Sequence, residues 1–244
     1  MKKSILILTF ALLLSNLKAN AQWESNNKIS GNGKITTETR TTGDYDSIKI
    51  AGFFDVDLVA GKEGKITIKG EENLLQAIKV EVEGNELKVY VERGTQIRSS
   101  SGKKIEVTIP FEKIGVVTLS GSGNVRAKDK IKSDNLTAKL SGSGNFDLNI
   151  ESNDFDLALS GSGNATLKGT TNSFTSKISG SGNINASELK SKIVDANISG
   201  SGNSKITCNE SITARVSGSG KIKYLGNPEK RDVKVSGSGS ISKG

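Results

Sequence analysis

The tetrad Ser-Gly-Ser-Gly recurs along the second half of the chain at a nearly constant interval. Successive copies begin 18 to 21 residues apart, at Ser120, Ser141, Ser160, Ser179, Ser199, Ser217 and Ser236. A fixed period of this length is typical of repeat architectures, in which each unit packs only against its neighbours. The repeat therefore predicts a stacked fold.

Apolar residues alternate with polar ones on both sides of each tetrad. Before the tetrad at Ser141 they are Leu136, Ala138 and Leu140, and after it they include Phe146 and Leu148. Alternation with period two places one face of a strand in the core. Each repeat is therefore predicted to contain two short strands, one Ser-Gly corner and one variable corner, and no segment has a helical pattern.

Identical corners favour a parallel β-solenoid over the alternative, a meander of antiparallel hairpins, because stacked corners must repeat the same dihedral angles and hydrogen bonds. Glycine supplies positive φ and allows close stacking of the corners. A structural ladder of stacked side chains is predicted along the corner, formed by Asn124, Asn145, Asn164, Asn183 and Asn203. The predicted fold is all-β, with a solenoid of about 19-residue repeats.

The chain begins with a pattern typical of a secretory signal. Lys2 and Lys3 precede an apolar run and the segment Ala19-Asn20-Ala21, which predicts a signal peptide over residues 1–21. No later segment approaches the roughly 20 apolar residues of a membrane helix. We expect an exported protein, located in the periplasm, on the outer-membrane surface or outside the cell.

The remaining chain divides into an irregular β region, residues 22–115, and the repeat solenoid, residues 116–244. Within the first, residues 47–58 resemble a repeat with a degenerate corner, and residues 29–33 resemble another. The sequence Glu83-Gly84-Asn85-Glu86 predicts a hairpin turn. This region is expected to cover one end of the solenoid, and Arg231, on an inward position of the last complete repeat, is expected beside the open end.

Three features together resemble one bacterial family: AGFFDVDLVAG, ENLLQAIKVEVEGNELKVYVE and the periodic SGSGN repeats, behind an exported leader. The chain resembles the putative auto-transporter adhesin family with a head GIN domain, over essentially its whole mature length. The resemblance implies a right-handed β-helix-like fold and an envelope or surface location in Bacteroidetes-type bacteria. It supplies no catalytic or binding residues.

Composition excludes several kinds of site. The chain has no histidine and one cysteine, which excludes Cys/His zinc sites and Ser-His-Asp triads, and no cofactor or metal is predicted. Cys208 lies on an inward position and is expected to be buried. Asp55 and Asp57 share a strand face, where a solvated pair is favoured over a weak cation site.

Nucleic acid is not an expected partner. Without Lys2, Lys3 and Lys18, Lys and Arg number 31 against 26 Asp and Glu, so the net charge falls from +8 to +5. Charges of both signs are interleaved along the chain instead of forming one basic patch.

A candidate contact face is formed by outward positions shortly before the tetrads. Basic residues occupy the second position before four tetrads, and threonines occupy the fourth position before three: Lys139, Lys177, Arg215, Lys234, Thr137, Thr175 and Thr213. Such a face could contact an anionic polysaccharide or another protein. The alternative is a solvated sheet face with cross-strand charge pairs.

The favoured function is a non-enzymatic binding or structural protein of the cell envelope, an adhesin that contacts a glycan or protein. A polysaccharide-processing enzyme is the main competing interpretation, and it rests on fold analogy alone. The carboxylate pairs Asp154 with Asp156 and Glu81 with Glu83 lie on exposed faces and suggest no pocket. The sequence is also compatible with a periplasmic structural or sensing protein and with an ice-binding protein, and the oligomeric state stays open.

Overall fold

The computed structural model describes residues 27–244, so the predicted signal peptide over residues 1–21 lies outside the described range. Residues 27–244 are 72% strand and 2% helix, and they form a β-solenoid of about seven turns with a spacing of roughly 19 residues. The predicted all-β solenoid is thereby confirmed. None of the helical structure within residues 27–244 is long and apolar enough to span a bilayer.

In the described part of the chain, from residue 27, nine strands and one short helix precede the tetrad repeats. The strands are β1 (Asn27–Ser30), β2 (Ile35–Thr41), β3 (Ser47–Gly52), β4 (Asp55–Ala60), β5 (Lys65–Glu71), β6 (Ile78–Glu83), β7 (Glu86–Val91), β8 (Thr95–Arg98) and β9 (Glu106–Phe111). Helix α1 (Glu72–Leu75) follows β5 and buries Leu74 and Leu75. The sequence did not predict it, because a single turn is too short to show a helical period.

Ten strands form the repeats. They are β10 (Val116–Gly121), β11 (Asn124–Ala127), β12 (Ile131–Gly142), β13 (Asn145–Gly161), β14 (Asn164–Gly180), β15 (Asn183–Gly200), β16 (Asn203–Gly218), β17 (Lys221–Leu225), β18 (Lys230–Ser236) and β19 (Ser240–Lys243). Consecutive long strands from β12 to β16 pair in parallel. This pairing excludes the antiparallel meander.

Each central coil is one long strand, so the prediction of two strands per repeat is wrong there. It holds for the outer repeats, which contain β11 with β12 and β17 with β18. Strands β13 to β16 contain 16 to 18 residues each. The pairing of β13 with β14 continues around the variable corner, from Ser152 with Thr171 to Asp154 with Ser173. Backbone hydrogen bonds between coils therefore keep the residues of the variable corner in strand geometry. The alternation of apolar residues within one repeat cannot reveal these bonds, because they form between repeats.

The core is a set of inward columns that run along the solenoid. Leu136, Ala138 and Leu140 are at most 2% exposed, as the alternation predicts. Phe155 and Phe174 stack in adjacent coils, with ring centroids 5.3 Å apart and planes 7° apart. Each fully buried Leu, Ile or Phe contributes about 1.5–3 kcal/mol to folding, so the columns are the main source of stability.

The Ser-Gly corner requires glycine because successive coils nearly touch there. Gly161 has a φ of +111°, and a Cβ on it would lie 2.5 Å from the carbonyl oxygen of Gly142. A Cβ on Gly163 would lie 2.4 Å from the Gly144 oxygen. The backbone N–H groups of Ser162 and Gly163 both donate to the Gly142 oxygen, at 3.0 and 3.1 Å. Close approach thus allows one carbonyl to accept two hydrogen bonds.

The solenoid extends into the first part of the chain. Strand β3 pairs in parallel with β10 and β7, and β4 pairs in parallel with β11 and β9. This confirms residues 47–58 as a coil with an altered corner. Strands β6 and β7 form the predicted antiparallel hairpin, with Gly84 at a φ of +60°.

Residues 29–33 do not form a coil, so their resemblance to a repeat was misleading. Strand β1 pairs with β8 in a separate two-stranded sheet. The buried carboxylate of Glu71 accepts hydrogen bonds from the backbone N–H of Gly33 and of Ser100, at 2.6 and 2.8 Å. A tertiary contact of this kind leaves no pattern within residues 29–33 themselves.

The last coil is open to solvent. All residues of β18 are exposed, and Val233 and Val235 are 48% and 40% exposed although they continue inward columns. Arg231 continues the column of Ile212 and is exposed as well. Its charge is compatible with an inward position because no further coil of the described chain covers it.

Candidate functional site

The outward positions before each tetrad form one continuous surface, which we call the column face. In register across six coils, its central column consists of Lys139, Ala158, Lys177, Asn197, Arg215 and Lys234. A second column, two residues earlier, consists of Thr137, Asp156, Thr175, Asp195, Thr213 and Asp232. The first serines of the tetrads form a third column on the other side. The predicted basic residues and threonines therefore lie side by side.

The central column continues toward the first part of the chain. Lys139 pairs with Thr118, Thr118 with Lys49, and Lys49 with Lys88. Lys49 precedes the altered corner at Ala51-Gly52 by two residues, so the repeat register could have found it. Lys88 could not be found, because the parallel pairing of β7 with β3 has no signal in the sequence.

A shallow groove of about 550 Å³ runs along part of the column face. Ala158, Lys177, Asn197, Arg215 and Lys234 line one side, and the serine column lines the other. The groove exists because Ala158 and the serines are short while the basic side chains beside them are long. Lys139 lies in the same column, outside the groove lining, and the threonines lie beyond the basic residues.

The basic residues of the column face differ in their pairing. Arg215 forms an ion pair with Asp232 on the next coil, and this hydrogen bond raises the pKa of Arg215 and lowers that of Asp232. Asn197 donates a hydrogen bond to Asp195 at 2.7 Å. Within residues 27–244, Lys139, Lys177 and Lys234 form no ion pair. Their ammonium groups are thus available for an anionic partner.

The five asparagines at the corner are joined by side-chain hydrogen bonds between coils. Asn145 donates to Asn124 at 2.7 Å, Asn164 to Asn145 at 3.0 Å, Asn183 to Asn164 at 2.9 Å and Asn203 to Asn183 at 2.9 Å. Asn124 in turn donates to Asp55 of the first coil. The amides of Asn124, Asn145, Asn164 and Asn183 each donate to the preceding coil and accept from the next, which makes the ladder a structural element.

The expectation of a solvated Asp55–Asp57 pair is wrong for Asp55, which is 8% exposed. The Lys104 ammonium donates to its carboxylate at 2.8 Å, and Arg126 lies 3.7 Å away. Burial opposes ionisation of Asp55, but the hydrogen bonds from Lys104 and Asn124 outweigh it and lower its pKa. Asp57 lies 3.5 Å from Arg126 and 3.4 Å from Lys128. These neighbouring cations disfavour a bound metal ion.

The remaining chemical groups occupy structural positions. Cys208 is fully buried, and burial raises the pKa of its thiol. Glu81 accepts a hydrogen bond from Tyr90 at 2.6 Å, and Lys88 lowers the pKa of Glu83, whereas a general acid for glycan cleavage needs a raised pKa. No group of three or more Asp, Glu or Cys side chains in residues 27–244 is arranged to hold a metal ion.

A second concave region lies between the corner of the first coil, residues 47–58, and the segment of residues 97–105. This junction cleft, of about 430 Å³, is lined by Phe53, Asp55, Ile97, Arg98, Ser99, Lys103, Lys104, Ile105 and Asn124. The sequence patterns did not indicate it, apart from the unusual pair Phe53-Phe54 at a corner. Apart from Asp55 on β4 and Asn124 on β11, its other residues come from β8 and the segment after it, whose position only the tertiary structure decides.

Solved structures of proteins from Bacteroides and Parabacteroides share this fold. A putative adhesin from Bacteroides fragilis superposes with a TM-score of 0.80 at 26% identity, covering 88% of this chain and 99% of the other. A putative lipid binding protein from Parabacteroides distasonis superposes with a TM-score of 0.74 at 25% identity, over 89% and 100% of the chains. A putative adhesin from Parabacteroides merdae has a TM-score of 0.65 at 24% identity, over 89% and 99%.

No curated protein matches the chain. The sequence model of the family described as "Putative auto-transporter adhesin, head GIN domain" matches residues 44–228. The match covers strands β3 to β17, which include the segments that carry the resemblance in the sequence. The chain therefore belongs to the head GIN domain family of putative auto-transporter adhesins.

Proposed function

We propose that the protein is a non-enzymatic adhesin of the cell envelope that binds an anionic polymer through the column face. The observation that supports this proposal is the set of lysines, Lys139, Lys177 and Lys234, that recur at one outward position without an ion pair inside residues 27–244. A sheet face that needed only solubility would gain from cross-strand partners for these charges.

The spacing of the basic residues suits an extended ligand. Neighbouring coils of a β-sheet lie about 4.8 Å apart, so Lys139 and Lys177, two coils apart, are separated by about 10 Å along the axis. Arg215 follows two coils later in the same column. A linear polymer with negative charges at regular intervals can contact several of these side chains at once. The many weak contacts then add to a useful affinity.

The location is part of the proposal. The predicted signal peptide supports export, and adhesion further requires that the column face reach the outer surface. Protease treatment of intact cells, followed by detection with an antibody against the mature chain, tests this directly. Cleavage before cell lysis is expected. Protection until the outer membrane is broken would contradict adhesion and favour a periplasmic structural or sensing role.

The binding test compares polygalacturonate with neutral dextran on the purified mature chain. The variant Lys139→Gln, Lys177→Gln, Lys234→Gln should lose most of the polygalacturonate binding, and added salt should weaken binding by the unmodified chain. The matched control is Lys62→Gln, Lys168→Gln, Lys190→Gln, which removes the same charge from exposed positions elsewhere. An equal loss of polygalacturonate binding in both variants would show that binding depends only on net charge and would overturn the proposal.

Two further measurements distinguish the proposed polymer-binding adhesin from a lipid-binding protein and from an enzyme. The similar structure of a putative lipid binding protein from Parabacteroides distasonis suggests vesicles of anionic phospholipid as a competing ligand. Stronger binding to such vesicles than to polygalacturonate would contradict the proposal and show that the ligand of the column face is a lipid surface. The chain length of polygalacturonate should stay unchanged during incubation with the protein. Shortening of the polymer would show that the protein is an enzyme and would contradict the non-enzymatic role.

A further inference from the structure

The corner of the first coil carries two phenylalanines where the tetrad corners carry Ser and Gly. Gly52 pairs with Gly121, and Asp55 pairs with Asn124, so Phe53 and Phe54 take the places of Ser122 and Gly123. Phe54 is fully buried. Phe53 stacks on it, with centroids 5.6 Å apart, but remains 38% exposed.

Packing does not explain the exposed ring of Phe53. The buried aromatic ring at this corner is that of Phe54, and serine takes the position of Phe53 in every tetrad corner. A partly exposed phenylalanine loses the benefit of full burial. Its ring instead forms one wall of the junction cleft, where it offers a flat apolar surface.

The charged groups that line the cleft are predominantly basic. They are Arg98, Lys103 and Lys104 against the single carboxylate of Asp55, which leaves two net positive charges. Lys104 forms an ion pair with Asp55 at 2.8 Å. Within residues 27–244, Arg98 and Lys103 form no ion pair, so they can bind an anion without breaking one.

Hydrogen bonds to Glu71 fix the position of the segment that carries Arg98, Lys103 and Lys104. The Glu71 carboxylate accepts hydrogen bonds from the N–H and, at 2.6 Å, from the hydroxyl of Ser100. Ser99 also lines the cleft, but its hydroxyl is buried and lies out of a ligand's reach.

We infer that the junction cleft binds an acidic sugar unit, a uronate. The apolar face of the sugar ring packs on Phe53, and its carboxylate pairs with Arg98 and Lys103. The cleft volume lies within the range of about 300–1,000 Å³ typical of small-ligand sites. An inorganic anion would not use the aromatic ring. The site is separate from the column face and does not depend on the proposed adhesion.

Titration with galacturonate, monitored by backbone amide NMR of the mature chain, tests the inference. Shifts should concentrate in residues 53–55 and 97–105, and galactose should bind at least about threefold more weakly because it lacks the carboxylate. Phe53→Ser, which restores the residue of the other corners, should weaken binding about threefold to tenfold. Lys103→Gln should also weaken it.

The controls are Ile193→Ser, which removes another exposed apolar side chain, and Lys168→Gln. Both should bind galacturonate like the unmodified chain, as should the variant of the three column-face lysines. Absence of galacturonate shifts at these positions, equal binding of galactose, or an equal loss in Ile193→Ser would overturn the inference. Loss of galacturonate binding only in the column-face variant would overturn it as well.

Discussion

The side-chain amide of Asn183 donates a hydrogen bond to the Asn164 side-chain oxygen, 2.9 Å away on the preceding coil. Asn164 in turn donates to Asn145 at 3.0 Å. Each inner asparagine of the ladder therefore takes part in two hydrogen bonds between coils. The ladder joins residues about 19 positions apart in the chain through one short contact.

Replacing Asn164 by alanine should destabilise the solenoid modestly. The variant loses two exposed hydrogen bonds, each worth about 0.5–1.5 kcal/mol, and we expect a total loss of about 1–2 kcal/mol. Chemical denaturation measures the free energy of unfolding. Thr166→Ala, on the same outward face outside the ladder, is the control, and a loss as large as that of Asn164→Ala would contradict a role specific to the ladder.

Replacing Gly163 by alanine should destabilise the protein more strongly. The new methyl group would lie 2.4 Å from the Gly144 oxygen, so the coils must separate locally, at a cost of about 2–4 kcal/mol. Gly43→Ala is the matched control, since nothing lies within 4 Å of a Cβ there. Equal unfolding free energies for the two variants would show that the corners do not need close approach.

Ionisation of Glu71 should make stability depend on pH. The Ser100 side-chain hydrogen bond is the main cause that lowers the Glu71 pKa in the folded chain, below its ordinary 4.5. The stabilisation is therefore fully present above pH 4.5 and is lost as the pH falls through the lowered folded pKa.

The variant Glu71→Gln tests this dependence by thermal unfolding at several pH values. It should lower the Tm at neutral pH and lower it less in acid, where Glu71 itself becomes protonated. Glu112→Gln, at an exposed carboxylate, should show neither effect. A Tm difference between Glu71→Gln and the unmodified chain that is the same at all pH values would contradict the assignment.

Cys208 should not react with thiol reagents in the folded protein. Its side chain is fully buried, its sulfur lies 3.1 Å from the Ser211 carbonyl oxygen, and burial raises its thiol pKa. Both burial and a low thiolate fraction slow the reaction. Labelling with an aromatic disulfide reagent should require unfolding in guanidinium, where the thiol reacts completely. Rapid labelling of the native chain would show that the solenoid opens at this coil.

The sequence by itself determined the repeating part of the fold. The tetrads and the alternation of Leu136, Ala138 and Leu140 specify inward columns and glycine corners, because both signals act within one repeat and recur in the next. The same register predicted which basic residues share the column face. A local pattern suffices wherever each residue meets its own counterpart on the next coil.

Only the tertiary structure decided the rest. The pairing of β7 with β3 extended the column to Lys88, and the buried Glu71 placed the segment after Arg98 against Phe53. Asp55 changed from an expected solvated group to a buried ion-paired one because Lys104, 49 residues away, lies against it. The segments that these contacts join are not copies of one repeat. Their packing is therefore long-range, and no local period in the sequence encodes it.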